Sequence, residues 1–409
     1  MLLNRDLSLT KNRRQIVRAE IEQTVKEILD NVRRNGDHAV KMYAEKFDNF
    51  AGDTFEITNT VVEDANFMRI LERAKSQIEE FHRNQIQKSW SINKDNGVIM
   101  GQVVHPLQRV AVYVPGGTAS YPSSVLMNVI PAKIAGVDEI IMLCPNPTAE
   151  VLMAAKVVGI DKIYKIGGAQ AIAAAAYGTQ RIPKADKIVG PGNIYVAAAK
   201  KMVYGEVDID MIAGPSEILI IADETANPKY IAADLMSQAE HDRMASSILI
   251  ATDEKILQKT EEELARQLKY LKRREIIEES LKNYGIGIAA ANLAEAFALS
   301  NEIAPEHLEI LTQNPLEKLP MVKNAGSVFL GENTPEALGD YMSGTNHVLP
   351  TGGTAKFYSP LGVYDFVKFS SYSYYPREVL AQFKDDVVNF ANLEGLDAHA
   401  NSIEARFDK

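Results

Sequence analysis

Val110-Ala111-Val112-Tyr113-Val114 is an unbroken apolar run that stops at Pro115-Gly116-Gly117, and the pattern recurs downstream. Glu139-Ile140-Ile141-Met142-Leu143 runs to Pro145, Lys162-Ile163-Tyr164-Lys165-Ile166 to Gly167-Gly168, and Lys187-Ile188-Val189 to Gly190-Pro191-Gly192-Asn193. Ile218-Leu219-Ile220-Ile221 closes the series. Strands apolar on both faces, alternating with alanine-rich helical stretches, predict a parallel sheet covered on both sides. In such sheets ligands bind beyond the carboxyl ends of the strands, where these glycine turns sit. Each turn can present backbone N–H groups to a phosphate, a feature common to many α/β proteins.

Outward from this module the alternation resumes with Ser247-Ile248-Leu249-Ile250, Ile286-Gly287-Ile288 and Gly326-Ser327-Val328-Phe329-Leu330, which predicts a second α/β unit. Gly285 to Ala290 superficially matches a dinucleotide-binding glycine motif, but no apolar strand precedes it, so it reads as a strand itself. Upstream, residues 12–48 read as helices, with apolar positions at helical spacing from Ile16 to Val32 and a stop at Asn35-Gly36. A second amphipathic helix runs from about Val62 to Gln87, and its His82 reads as a solvated residue. These helices need a surface to pack on, and the second unit is the expected one. The predicted class is α/β, with two Rossmann-like doubly wound parallel-sheet units, one inserted in the other. Residues 1–109 and 218–362 would form a discontinuous domain, 110–217 the insertion, and 363–409 a helical C-terminal tail.

The 409 residues carry a formal charge of −10, which argues against a nucleic-acid surface. Cys144 is the only cysteine, so an intrachain disulfide and a thiolate metal cluster are both excluded. At a strand end with no neighbouring histidine, it reads as a packed core residue. The first fifteen residues lack an apolar signal core, and no apolar run reaches bilayer length. The expectation is a soluble cytoplasmic protein.

The chemistry-bearing residues fall in a few islands that hold four of the seven histidines. Gln238 and His241 stand three apart on a helix that Asn227-Pro228 can start, close enough to meet at one ligand. Glu306 and His307 follow Pro305, which is expected to break one helix and open another. An adjacent carboxyl and imidazole suit acid–base work. Asp340 and His347 lie in a long glycine-rich polar loop, the kind that is usually functional. Glu394 and His399 lie in the tail. Imidazole, carboxylate and amide oxygen together suit a borderline divalent cation, zinc foremost.

In order, Tyr113-Val114-Pro115-Gly116-Gly117, Val125 to Asn128, Gly190 to Asn193, Ala213-Gly214-Pro215-Ser216-Glu217, Ser237 to His241, Ala304 to Glu309 and Ser343 to Gly353 resemble the histidinol dehydrogenase family. The likeness extends from Tyr43–Asp48 to Glu394–His399. It implies oxidation of L-histidinol through L-histidinaldehyde to L-histidine with zinc and two NAD, by a homodimer with a shared active site. It implies zinc ligands Gln238, His241 and Asp340 with the partner's His399, and an acid–base pair Glu306 and His307. Ser216, Glu394 and His347 would contact substrate, to which His307 and the four ligands also turn. Tyr113, Gln170 and Asn193 would contact NAD, making 110–217 the NAD-binding domain and 363–409 the segment that reaches the partner. Related alternatives are a zinc–NAD dehydrogenase for another small alcohol, and a zinc hydrolase with Glu306 as base.

Overall fold

The structure, a computed structural model, describes residues 3–4, 19–58, 61–116 and 121–407. Gly117 and residues 12–18, read above as part of a turn and of a helix, lie outside the described residues. The chain divides into two units, Met1–Gln85 with Leu107–Phe366, and Ile86–Pro106 with Val367–Lys409.

The larger unit begins with helices α1 (Ala19–Asn35) and α2 (Asp37–Phe47), a short strand β1 (Glu56–Ile57) and helix α3 (Ala65–Arg83). The chain then supplies strands β2 (Trp90–Asn93) and β3 (Ile99–Pro106) to the smaller unit. Back in the larger unit, β4 (Arg109–Tyr113), α4 (Pro122–Ala135), β5 (Glu139–Leu143), α5 (Ala149–Val157), β6 (Ile163–Tyr164), α6 (Gly168–Tyr177), β7 (Lys187–Val189), α7 (Ile194–Val203) and β8 (Asp208–Ile209) alternate. The first sheet has the order β1-β6-β5-β4-β7-β8, parallel except for β1. Side chains alternate across β4: Ala111 and Tyr113 pack with α1, α2, α6 and α7, while Val110 and Val112 pack with α3, α4 and α5.

That packing corrects the expected domain division. The apolar stripe of α1, with Val25, Ile28, Leu29 and Val32, is buried against the first sheet and its alanine-rich helix α6. α3 covers the opposite face through Leu71, Ala74 and Ile78. The N-terminal helices therefore complete the first sheet, while Leu3 packs into the core of the second and Asn4 bridges its Ile286. A sheet needs cover on both faces: α6 and α7 lie on one and α4 and α5 on the other, and α1 with α2, and α3, widen the cover on each.

The second sheet follows: β9 (Glu217–Ala222), α8 (Pro228–Ala239), β10 (Ser246–Ala251), α9 (Glu254–Gln267), α10 (Arg274–Tyr284), β11 (Gly285–Ala289), α11 (Leu293–Ile303), β12 (His307–Leu311), β13 (Ser327–Leu330) and α12 (Glu336–Tyr341). Its order is β11-β10-β9-β12-β13, all parallel. Gly285–Ala289 is a strand, as its pattern predicts.

The smaller unit is not purely helical. Its C-terminal part opens with β14 (Val367–Tyr374), which pairs antiparallel with β3 over its whole length, and continues as α13 (Arg377–Leu393) and α14 (Asp397–Glu404). The predicted boundary at residue 109 misses this, because β3 leaves the first domain to join the tail.

Candidate active site

β9 and β12 are neighbours, and their register sets His307 opposite Ile218. Glu306 and His307 thus border Glu217 and hold both of its backbone polar groups. The Glu217 N–H donates to Glu306 Oε2 at 2.8 Å, and His307 Nδ1 lies 2.9 Å from the Glu217 carbonyl. A carbonyl only accepts, so Nδ1 carries the proton and Nε2 turns its lone pair outward. Pro305 does break α11, after Ala304 in the left-handed region, but the chain then enters a strand and no new helix opens. Leu308 and Ile310 decide this, since they complete the buried face of the sheet. Gly326 leaves room for the turn: a Cβ there would lie 2.5 Å from the Glu306 carbonyl oxygen.

The candidate metal ligands come from α8 and α12. Asn227 caps α8 and Pro228 opens it, as predicted. Gln238 is buried in its last turn, and His241 is exposed just beyond, its N–H donating to the Gln238 carbonyl at 3.2 Å. Asp340 is helical, on α12, while His347 follows on the loop with Nδ1 3.1 Å from the Asp340 carbonyl. His241, Glu336 and Asp340 can each bring one ligand atom to within 4.8 Å of the others. Gln238 Oε1 and Glu336 Oε1 are buried with no hydrogen-bond partner. Leaving such an atom unpaired costs about 1–3 kcal/mol, and a bound cation would relieve it. The donor set of amide, imidazole and carboxylate fits a divalent ion such as zinc.

Glu336 is the residue the sequence reading missed. It is 2% exposed, its Oε1 stands 3.9 Å from His307 Nε2, and its Oε2 accepts from Ser237 Oγ at 3.0 Å. The signal was present: Glu336 lies four before Asp340, the spacing that puts both on one helical face, and Pro335 precedes it as a helix start. Taking the region for a loop hid that relation.

Burial sets the electrostatics. Desolvation raises the Glu306 carboxyl well above its ordinary value, with the Glu217 N–H opposing and the Glu217, Asp340 and Glu336 charges adding to the rise. It raises Glu336 to about 8 and lowers His307 to about 4. His307 is accordingly neutral near pH 7. Just beyond, a cavity of about 310 Å3 opens beside His241 and Tyr341, its walls apolar side chains of α3 and α4 such as Phe67, Leu71 and Leu126.

In the first sheet, β4 is central and the strand order reverses there, β5 and β6 lying to one side and the parallel β7 and β8 to the other, so the carboxyl ends of β4 and β7 flank the crevice where α/β sheets take ligands. Tyr113 ends β4, and the Gly190–Asn193 turn follows β7. Gly190 has φ +110°, and a Cβ there would overlap the Tyr113 carbonyl oxygen. The Gly190 backbone is clamped on both sides, its N–H donating to Asp210 Oδ2 at 2.8 Å and its carbonyl accepting from Lys200 Nζ at 3.0 Å, while Lys200 and Asp210 form a buried ion pair. Asn193 caps α7, accepting from the N–H groups of Tyr195 and Val196. These turns suit a dinucleotide. At the Gly167-Gly168 turn the N–H groups are already engaged, because the Asp48 carboxylate accepts from Gly167 N–H at 2.9 Å and Gln170 Nε2 at 3.1 Å. Gln170 is buried in that bond, and the Gly168 N–H donates to the Tyr113 hydroxyl at 3.1 Å.

Ser216 immediately precedes β9 and is half-buried, with its carbonyl accepting from Ser246 N–H. Glu394 and His399 belong to the smaller unit, where Glu394 caps the end of α13 and His399 sits in α14, both exposed. Among the described residues no helix is long and apolar enough to cross a membrane.

The family model for histidinol dehydrogenase matches residues 11–407. The chain is 60% identical to histidinol dehydrogenase of Lactococcus lactis over 414 aligned positions, which span 98% of this chain and 96% of the relative. It is 56% identical to that of Clostridium acetobutylicum, spanning 97% and 95%. The crystal structure of histidinol dehydrogenase from Elizabethkingia anophelis superposes with a TM-score of 0.92 at 37% identity, covering 99% of this chain and 97% of that one.

Proposed function

Because the chain belongs to the histidinol dehydrogenase family, we propose that it carries L-histidinol through L-histidinaldehyde to L-histidine at the site built around Glu306, His307, α8 and α12. It is an oxidoreductase of histidine biosynthesis. Zinc would be held by Gln238, His241 and Asp340 with the partner's His399, and NAD by the turns at Tyr113 and Asn193, with Gln170 placing the Tyr113 region through Asp48. When bound, zinc orients the amine and imidazole of histidinol, and each of two NAD accepts one hydride.

The chain's own residues then move the protons. His307, neutral and with Nε2 free, accepts the alcohol proton as the carbinol carbon gives up hydride. Glu306, once ionised, takes a proton from the water that adds to the aldehyde carbon. His307, having released its first proton to solvent, then accepts a hydroxyl proton from the resulting diol as the second hydride leaves, and the acid formed ionises. Ser216 and His347, with Glu394, would bind the rest of the substrate. Two molecules of a homodimer in the cytoplasm would share each site.

The observation that supports this reading is the pinning of Glu306 and His307 on the backbone N–H and carbonyl of one residue, Glu217, which fixes the imidazole tautomer that can act as a base. The test is a count of NADH formed per histidinol consumed by the purified enzyme. Two is expected; one would make the aldehyde the product, and none would overturn the assignment.

A further inference from the structure

His82, on α3, has no place in the chemistry above and was read from sequence as a solvated residue, yet it is fully buried. Its Nδ1 lies 2.8 Å from the Ile78 carbonyl, so that nitrogen carries a proton. Its Nε2 stands 3.3 Å from Asn346 Nδ2. The same amide nitrogen donates to the Met127 carbonyl at 2.8 Å, and Asn346 Oδ1 accepts from Val348 N–H at 2.9 Å. Both amide hydrogens and the amide oxygen are therefore committed, and turning the amide over would set its oxygen against a carbonyl. Burial keeps the ring below its ordinary pKa, against the opposing pull of the Ile78 and Leu361 carbonyls.

The loop that carries this amide is seated on α3 at a second point. Gly344, at φ +89°, lies against the Gln77 carbonyl, where a Cβ would come within 2.5 Å. His347 is the next residue after Asn346, and Val348, which Asn346 holds, is the next after that.

We propose that His82 is a positioning residue for His347: the neutral imidazole fixes the orientation of the Asn346 amide, and that amide fixes the backbone on both sides of His347. This rests on His347 being a substrate contact, as read above. A leucine at 82 would fill the space but leave one Asn346 hydrogen unpaired in the interior. Glutamine offers an N–H and an oxygen, the same donor and acceptor pair.

Two measurements on the holoenzyme decide it. The first is nitrogen NMR of imidazole-labelled protein, which reads the state of each ring; His82 is expected neutral with its proton on Nδ1. An imidazolium, or a proton on Nε2, would overturn the proposal. The second compares His82→Leu, His82→Gln, Asn346→Ala and His347→Asn for the KM of histidinol and of NAD. His82→Leu and Asn346→Ala are expected to raise the histidinol KM about tenfold, the scale of one lost buried hydrogen bond, and to leave the NAD KM unchanged. His82→Gln should stay within about threefold of wild type, which a mere packing role would not predict. A histidinol KM raised by His347→Asn but untouched by Asn346→Ala overturns the positioning role. If His347→Asn itself is silent, the substrate reading of His347 fails, and the NMR result still judges the His82–Asn346 pair.

Discussion

Glu306 and His307 are adjacent in sequence and bound to the backbone of one residue, yet burial drives their proton affinities in opposite directions. Burial favours the uncharged imidazole and makes the ionised carboxyl a stronger proton acceptor than usual, so the two groups suit different halves of a four-electron oxidation. Glu306→Gln keeps the acceptor for the Glu217 N–H and removes the base. The aldehyde half-reaction should fall by about 10²–10⁴, the usual worth of a general base, while histidinol oxidation to aldehyde stays within about tenfold. Stopped-flow rates with each substrate measure this, and equal losses would contradict the division of labour. A second consequence concerns the metal-free protein. Glu336 holds its proton in the folded state up to about pH 8, against an ordinary value of 4.5. Between those values the folded protein binds a proton that the unfolded chain has released, so stability falls as pH rises through this window. Thermal unfolding after chelation should show a melting temperature that drops from about pH 5 to about pH 8. Glu336→Gln should flatten that slope, and added zinc should raise stability most at the alkaline end.

Among the elements, the clamp on the Gly190 turn deserves a direct test. Lys200→Met strands the buried Asp210 carboxylate and is expected to cost about 3–5 kcal/mol in urea unfolding. Replacing both partners with apolar residues should recover much of that stability, but the NAD KM should stay raised because the turn has lost both its clamps. A recovered KM would show that the pair does not shape the turn. The parallel strands were legible in the sequence because each is apolar on both faces and stops at a glycine or proline. So was the start of α8, where Asn227 and Pro228 have a strictly local effect. What was not legible depends on distance. Whether the chain after Pro305 coils or extends is settled by Leu308 and Ile310 meeting a sheet built elsewhere, and the partner of the α1 stripe is settled by which sheet face stands bare. His82 shows the same limit: its neighbours on α3 are local, but Asn346 arrives from the far end of the chain. The ligand candidates at Gln238, His241 and Asp340 could be picked out by type and spacing, whereas Glu336 needed the helical reading of its loop.

At the scale of the molecule, α13 leaves an apolar stripe exposed, with Phe383, Val387, Phe390 and Leu393 recurring at helical spacing and Leu393 89% exposed. A stripe of this kind on a soluble protein marks an association surface, which supports the proposed dimer. If the partner's His399 completes each site, His241→Ala and His399→Ala are separately inactive but complement one another. Random reassembly makes half the dimers mixed, each with one intact site, so roughly a quarter of wild-type activity should return. Verified mixed dimers without activity would place both histidines in one chain's site. The antiparallel ladder of the smaller unit carries a further consequence. β3 is made early in translation and its outer neighbour β14 only near the end. Throughout the intervening synthesis the nascent chain trails a strand with an open hydrogen-bonding edge, an invitation to pair with other chains emerging from the same polysome. A message cut short before codon 367 would release such a chain for good, which makes truncation products of this enzyme natural clients for chaperones and seeds for inclusion bodies.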